Sequence, residues 1–416
     1  MTQQLPGFPQ ATAAEVGLSD EGLDRIDAVI QDHIQQNKIA GAVTLVARHG
    51  KLVRTGVFGV DRLADSRPYE LDSIFHLFSM TKPITGLAMG ILADRGLWHP
   101  EDPISAHLPE LAELKVLKGV GASGEPIVTA ADRQPTMLQL MTHTAGFAYG
   151  TGLGSTDDIG RLYLQDPPLR AADLDEFVAR VARLPLAYQP GTTWRYSISM
   201  DLQGAIIERL SGQSLPEFYR TNIFEPLGMV DTDFFVPASK RDRLAELHYG
   251  DEQTPFTPVD NPLFEDAEEP PRVAWGGQGL FGTAPDYARF AQLLLNGGVW
   301  DGKRIVSEAA MSAQMHNHLP EALLEQRFTA GHMHFRPGFG YGYNGAVVYD
   351  PARAELPVGE NSYFWDGAAG TWFWSDPANE LLFVGMIQQL SWQAPPLQEI
   401  TQRLMADAIV IPGKDA

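Results

Sequence analysis

The stretch HLFSMTKPITG, residues 76–86, places Ser79 three positions before Lys82, with a proline directly after the lysine. Downstream, Ile84, Leu87, Ile91 and Leu92 recur at helical spacing as one apolar stripe, and Gly96 marks its end. The pattern predicts a helix whose first turn begins at or just after Ser79. Residues three apart on a helix share a face, so the lysine amine can reach the serine hydroxyl. A serine is a weak nucleophile until a neighbouring base takes its proton. A lysine of ordinary pKa, near ~10.4, is a poor base unless burial or nearby charge lowers it. Taken alone, the spacing reads first as a helix cap followed by a solvated lysine.

Outward from this stretch, the chain divides by pattern. Before it, Leu23, Ile26, Ile30 and Ile34 form a helical stripe behind a Ser19 cap, followed by the strand AVTLVAR, a turn at His49-Gly50-Lys51 and the strand LVRTGVFGV. After it, from about residue 100 to 270, PTMLQLMTH, LDEFVARVARL, SMDLQGAIIERLSG and SLPEFYRTNIFEPLGM are helical by period and strand signals are sparse. Thr283 and Asp286 resemble a capping box for DYARFAQLLLNGG. Strands return in GYGYNGAVVY, GTWFWSD and NELLFVGMIQQL, and PPLQEITQRLMADAIV is a closing helix. The expected architecture is α+β: an antiparallel sheet flanked by helices, built from residues 1–98 and 272–416, with a mostly helical insert at 99–271 and a cleft between them.

At 416 residues the chain exceeds the roughly 250–300 over which one core usually stops growing. With 31 Lys and Arg against 52 Asp and Glu its net charge is −21, which repels nucleic-acid phosphates and anionic membrane surfaces. There are no cysteines, so disulfides, thiolate metal sites and cysteine nucleophiles are excluded. No stretch approaches 18 uninterrupted apolar residues, and the first residues lack the basic start and apolar core of a secretory signal. A cytoplasmic enzyme with no cofactor, no metal, no nucleic-acid partner and no membrane is the expectation; the oligomeric state is not legible.

Two further segments carry chemistry. In Thr193-Trp194-Arg195-Tyr196-Ser197-Ile198-Ser199-Met200-Asp201 an aromatic loop leads into a helix, where Tyr196 either exchanges protons in a cleft or hydrogen-bonds backbone as a half-buried tyrosine. In Trp365-Asp366-Gly367-Ala368-Ala369-Gly370-Thr371-Trp372 small residues allow close approach to an edge strand, or make an ordinary turn.

Together with LQLMTHTAGF (138–147), YQPGTTWRYS (188–197), GGQGLFGTAPDYARF (276–290) and FWDGAAGTWF (364–373), these segments fall in the order of, and resemble, the serine β-lactamase and penicillin-binding-protein superfamily. The resemblance is closest to its class C-like esterase branch, the family VIII carboxylesterases, and covers nearly the whole chain. It implies that Ser79 is the acylated nucleophile, that Lys82 assists its deprotonation, and that Tyr196 passes the proton to the leaving group and later activates water. It further implies an oxyanion hole of the Ser79 and Ala368 N–H groups, where each donor typically contributes a factor of about 10²–10³ in rate. Ile198, Phe364, Trp365 and Gly367 are the expected substrate-binding positions.

Two departures shape the expected chemistry. Ile198 stands where many penicillin-recognising members carry an asparagine, and Trp365 where β-lactamases carry a lysine that holds the substrate carboxylate. Both favour a neutral ester over an anionic lactam. The aromatic residues Trp194, Phe364, Trp365, Trp372 and Trp374 suggest an apolar pocket, with some of them in the core.

The leading expectation is therefore a serine carboxylesterase acting on short-chain esters, with acyl transfer as a side activity. The alternatives are a β-lactamase, an amide hydrolase of the aminohexanoate-oligomer type, or a non-catalytic binding relative. No Gly-x-Ser-x-Gly elbow is present. His332 and His334, two apart in GHMHF, have neither an acidic triad nor an HExxH pattern to make a metal site, and His143 is expected to support local structure near the cleft, by bonding a backbone carbonyl. The acidic run FEDAEEPP reads as a solvated loop.

Overall fold

The computed structural model describes residues 5–150, 157–250, 253, 256–259, 267, 269–330, 333–391 and 394–411. The helices that matter for the site are α1 (Asp20–Gln35), α2 (Thr81–Asp94), α3 (Ser199–Ser211), α4 (Ala284–Leu295) and α5 (Leu397–Ala408). The main sheet uses β1 (Gly41–Arg48), β2 (Lys51–Arg62), β3 (Arg67–Pro68), β4 (Phe339–Tyr341), β5 (Ala346–Val348), β6 (Ser362–Asp366), β7 (Trp372–Asp376) and β8 (Leu381–Met386). Its order is β4-β5-β6-β7-β8-β1-β2-β3, and every neighbouring pair is antiparallel. The two ends of the chain thus meet in the middle of one sheet, where β1 pairs with β8.

Helices cover both faces of this sheet, as the alternation along β7 shows. The Trp372 indole N–H donates to Thr401 Oγ1 of α5 at 3.2 Å, whereas its neighbour Phe373 packs on Tyr287 of α4 at 4.8 Å between ring centres. Because both faces are covered, β1, β7 and β8 are buried along their whole length and lose the polar alternation of a half-solvated antiparallel strand. On the α5 face α1 packs beside α5. Its Ser19 cap is present, with Ser19 Oγ accepting the Gly22 N–H at 3.1 Å.

Between β3 and β4 the chain forms the expected helices, among them Met137–Met141, Leu174–Arg183, α3 and Leu215–Tyr219. It also forms a two-stranded ribbon, Lys115–Val120 with Pro126–Ala130, that the sequence pattern did not predict. The ribbon is largely solvated, with Ile127 and Val128 exposed, so no buried face imposes a period-two signal.

Two expectations need correction. The apolar stripe of α2 is part of a helix buried on every side from Thr81 to Leu92, because α2 packs against α3 and the helix Glu308–Met315 rather than lying on the surface. The capping box of α4 is half present. Thr283 Oγ1 accepts the Asp286 N–H at 3.2 Å, but the Asp286 carboxylate turns to the Asp231 N–H, Thr232 and Arg289 instead of back to the cap.

The hairpin joining β6 and β7 is tied to the loop before α2. Thr371 Oγ1 donates to the Leu77 carbonyl at 3.2 Å, and a Cβ on Gly367 would run into that same carbonyl oxygen and the Thr371 hydroxyl. Gly367→Ala is therefore expected to destabilise the fold by about 1–3 kcal/mol, as overpacking against backbone does, seen as a lowered denaturant midpoint.

Candidate active site

Ser79 sits in a 3-10 turn, Phe78–Met80, that runs directly into α2. Phe78 holds a left-handed φ of +47°, costly for a bulky side chain and sustained by its surroundings. Its ring stacks on His76 at 3.7 Å, Leu77 N–H donates to the Leu280 carbonyl at 2.9 Å, and Tyr287 of α4 donates to the Met80 carbonyl at 2.9 Å. These restraints leave the Ser79 side chain partly exposed at the start of a helix, with the positive end of the helix dipole beside it.

Tyr196 and Lys82 converge on that hydroxyl. Tyr196 donates to Ser79 Oγ at 2.6 Å, and Lys82 Nζ donates to Ser79 Oγ at 3.0 Å and to the Gly277 carbonyl at 2.7 Å. The lysine head lies 4.6 Å from the Tyr196 ring centre and 5.6 Å from that of Tyr149. Tyr196 is placed by the turn before α3, whose Arg195 N–H donates to the His143 carbonyl at 2.9 Å, and by the edge of the His143 ring at 4.9 Å. His143 thus buttresses the tyrosine. Its Nδ1 shares a 3.1 Å hydrogen bond with Ser197 Oγ, so its side-chain partner is a hydroxyl and not the expected backbone carbonyl.

Burial sets the protonation states. Lys82 is only 1% exposed, and desolvation pushes it well down from the usual lysine range, against the pull of Asp201 and Asp366. Desolvation pushes the Tyr196 hydroxyl upward, partly offset by its bond to Ser79, so it remains a phenol near neutral pH. His143 is driven well below the ordinary imidazole value by burial and by Lys82, which keeps it neutral.

The expected oxyanion donor, Ala368, is exposed in the β6–β7 turn, and its N–H has no hydrogen-bond acceptor among the described residues. Gly367 is buried beneath it against Leu77. The other expected substrate contacts are placed differently. Ile198 is 1% exposed at the start of α3. Trp365 is fully buried, against Tyr196 at 5.7 Å, Tyr341 at 5.4 Å and Phe335 at 6.1 Å, so it backs the tyrosine instead of presenting a surface. Strand alternation turns Phe364 to the α5 face, away from Ser79. There it helps line a cavity of about 280 Å³ with Asp366, Trp372, Leu397 and Gln402, to which Ser79, Lys82 and Tyr196 contribute nothing. Trp194, Trp372 and Trp374 are likewise buried; of the five aromatic residues read as pocket lining, Phe364 and Trp372 border the α5-side cavity and none lines a pocket at Ser79.

Two site residues went unassigned by sequence reasoning. Asp201 is fully buried on α3 and accepts the Gly277 N–H at 2.9 Å. Asp366, partly buried, is held up at about 7 by desolvation and lies within electrostatic reach of Lys82 and Tyr196. The signal for Asp201 was present: a lone carboxylate in the otherwise uncharged run SISMDLQGAII. His334 is exposed, His332 and half of the FEDAEEPP run lie outside the described residues, and among the described residues no three His, Asp or Glu are grouped to hold a metal ion. Nor is any described helix long and apolar enough to cross a membrane.

The chain has relatives among known proteins. Esterase EstB of Burkholderia gladioli is 31% identical over 365 residues, covering 84% of this chain and 86% of its own. The lovastatin esterase of Penicillium rubens is 31% identical over 381 residues, covering 87% and 92%. Among solved structures, EstCE1, described as a hydrolase with promiscuous acyltransferase activity, superposes with a TM-score of 0.75 at 23% identity, over 94% of this chain and 98% of its own. The family model described as Beta-lactamase matches residues 26–407, and the chain belongs to that beta-lactamase family.

Proposed function

We propose that the protein is a serine carboxylesterase that cleaves small, neutral, short-chain esters through an acyl-Ser79 intermediate. The observation that carries this reading is the Ser79 hydroxyl held between Tyr196 at 2.6 Å and a desolvated Lys82 at 3.0 Å. The esterase names of EstB and the lovastatin esterase, each a relative over most of its length, support it.

In the proposed sequence Ser79 Oγ attacks the ester carbonyl carbon and its proton passes to the Lys82 amine, which burial makes available as a base. The carbonyl oxygen becomes an oxyanion that accepts the N–H groups of Ser79 and Ala368. As the bond to the alkoxide breaks, Tyr196 gives that oxygen its proton, and the Lys82 ammonium, over the Tyr196 ring, restores the phenol. Water then attacks the acyl carbon, giving a proton to the same pair, which returns it to Ser79 as the acid leaves. An alcohol in place of water completes acyl transfer, the side activity that the EstCE1 description makes worth testing.

Substrate choice follows from charge. Trp365 stands where β-lactamases carry a lysine that holds the substrate carboxylate, and an indole offers no cation for it. The cleft is proposed to lie between residues 1–98 with 272–416 and residues 99–271. In support, Ser79, Lys82, Gly277 and Ala368 come from the first part and Tyr196 from the second. A cytoplasmic location goes with this reading, because small neutral esters, unlike peptidoglycan, are met inside the cell; cell fractionation tests it.

A serine-directed phosphonate is expected to add once to the protein and not to Ser79→Ala, as read by intact mass; an unmodified wild-type chain would overturn the reading. p-Nitrophenyl acetate or butyrate should turn over much faster than a chromogenic cephalosporin, and equal or reversed rates would exclude the esterase assignment. Tyr196→Phe should lose several orders of magnitude in kcat, on the order of 10²–10⁴ for a lost proton-transfer group, with the fold retained by circular dichroism.

A further inference from the structure

Lys82 does not meet its anionic partner directly. Its Nζ donates to the Gly277 carbonyl at 2.7 Å, and the N–H of the same residue donates to Asp201 Oδ1 at 2.9 Å. Asp201 lies on α3, five positions after Tyr196, so one short segment supplies both the tyrosine at Ser79 and the carboxylate behind Gly277. We propose that Asp201 is a positioning residue for the reaction: it clamps Gly277 so that the Gly277 carbonyl aims Lys82 at Ser79. The proposal rests on the acyl-Ser79 reading and deepens it.

Three observations support this role. First, Asp201 is fully buried, and its second oxygen, Oδ2, has no hydrogen-bond partner among the described residues. A buried carboxylate half without partners costs stability, so fold energetics alone favour a neutral side chain there. Second, position 277 is sterically reserved for the clamp, since a Cβ on Gly277 would sit 2.8 Å from both Asp201 carboxylate oxygens. Third, the electrostatics are reciprocal. Asp201 raises the affinity of Lys82 for its proton while Lys82 favours the ionised form of Asp201, and desolvation opposes both charges. The other titratable groups facing Lys82 are Asp366, Tyr149, Tyr196 and His143.

The sign of the effect follows. Removing the Asp201 charge leaves Lys82 with less to stabilise its ammonium, so the amine form persists to lower pH. It also removes the protonation of Asp201 itself from the acid side of the profile. Both changes move the acid limb of kcat/KM downward in pH.

The test compares wild type with Asp201→Asn, which is nearly isosteric, and with Gly277→Ala, which displaces the carboxylate while leaving it in the chain. The readouts are p-nitrophenyl butyrate hydrolysis and phosphonate labelling of Ser79, each followed across pH. For Asp201→Asn the expected result is an acid limb lower by at least about half a pH unit in both readouts. For Gly277→Ala it is a plateau kcat reduced about tenfold or more, with KM changed less than about threefold, the mark of a misaimed base and not of lost binding. If Asp201→Asn does not fold, the Gly277→Ala result decides alone. An Asp201→Asn profile that superimposes on wild type or moves to higher pH, or a Gly277→Ala enzyme with wild-type kcat, overturns the proposal. A wild-type protein that neither hydrolyses the ester nor takes up the phosphonate removes the underlying esterase reading instead.

Discussion

The structure around the candidate site depends on one constraint: the Lys82 side chain is almost wholly removed from water. A lysine in that position must lose its proton or find hydrogen-bond acceptors, because an isolated buried ammonium is prohibitively costly. The fold supplies the Gly277 carbonyl, the Ser79 hydroxyl and the faces of two tyrosine rings. Each of these requires a particular neighbour. The carbonyl requires the turn at 276–279 to lie against α3, the hydroxyl requires the turn at Phe78, and the rings require the loops on either side of His143 and Arg195. A helix buried on all sides, as α2 is, makes this possible, since a surface helix would let the lysine reach solvent.

The same burial divides labour between the two groups that touch Ser79. Desolvation disfavours the charged form of each, which lowers the lysine and raises the tyrosine. One environment therefore yields an amine able to accept a proton and a phenol able to donate one, with a single hydroxyl between them. The turn at 367–370 packs on the loop before α2, because Gly367 closely approaches the Leu77 carbonyl to which Thr371 donates. A side chain at either the Gly277 or the Gly367 approach would separate elements that are distant in sequence.

Much of the local order was legible from residues. Ser19 caps α1, the His49-Gly50 turn joins β1 to β2 with both residues at positive φ, and Ser79 and Lys82 share one helix face. These depend on neighbours within a few positions, which sequence spacing encodes directly. The half-formed capping box failed because Asp286 found partners in Thr232 and Arg289, the first of them 54 positions away. The tryptophans do not gather at Ser79 for a related reason. Both a cleft and a core are built from aromatic residues, and only the packing of α5 on Trp372 and of Phe335 on Trp365 distinguishes them. Phe364 was the exception, since the two-residue period of a strand already separates it from Trp365.

The sequence by itself determined that a serine and a lysine stand one helical turn apart, that a tyrosine precedes another helix, and that a glycine-rich hairpin follows late in the chain. Order and spacing along the chain encode such facts. Only the tertiary structure decided that Tyr196, 117 positions from Ser79 in sequence, lies 2.6 Å from it in space, and that Asp201 and Lys82 meet the N–H and the carbonyl of the same residue, Gly277. The physical reason is that proton affinity depends on solvent exclusion and on charges brought in from other segments, and neither exists until the chain has closed around them.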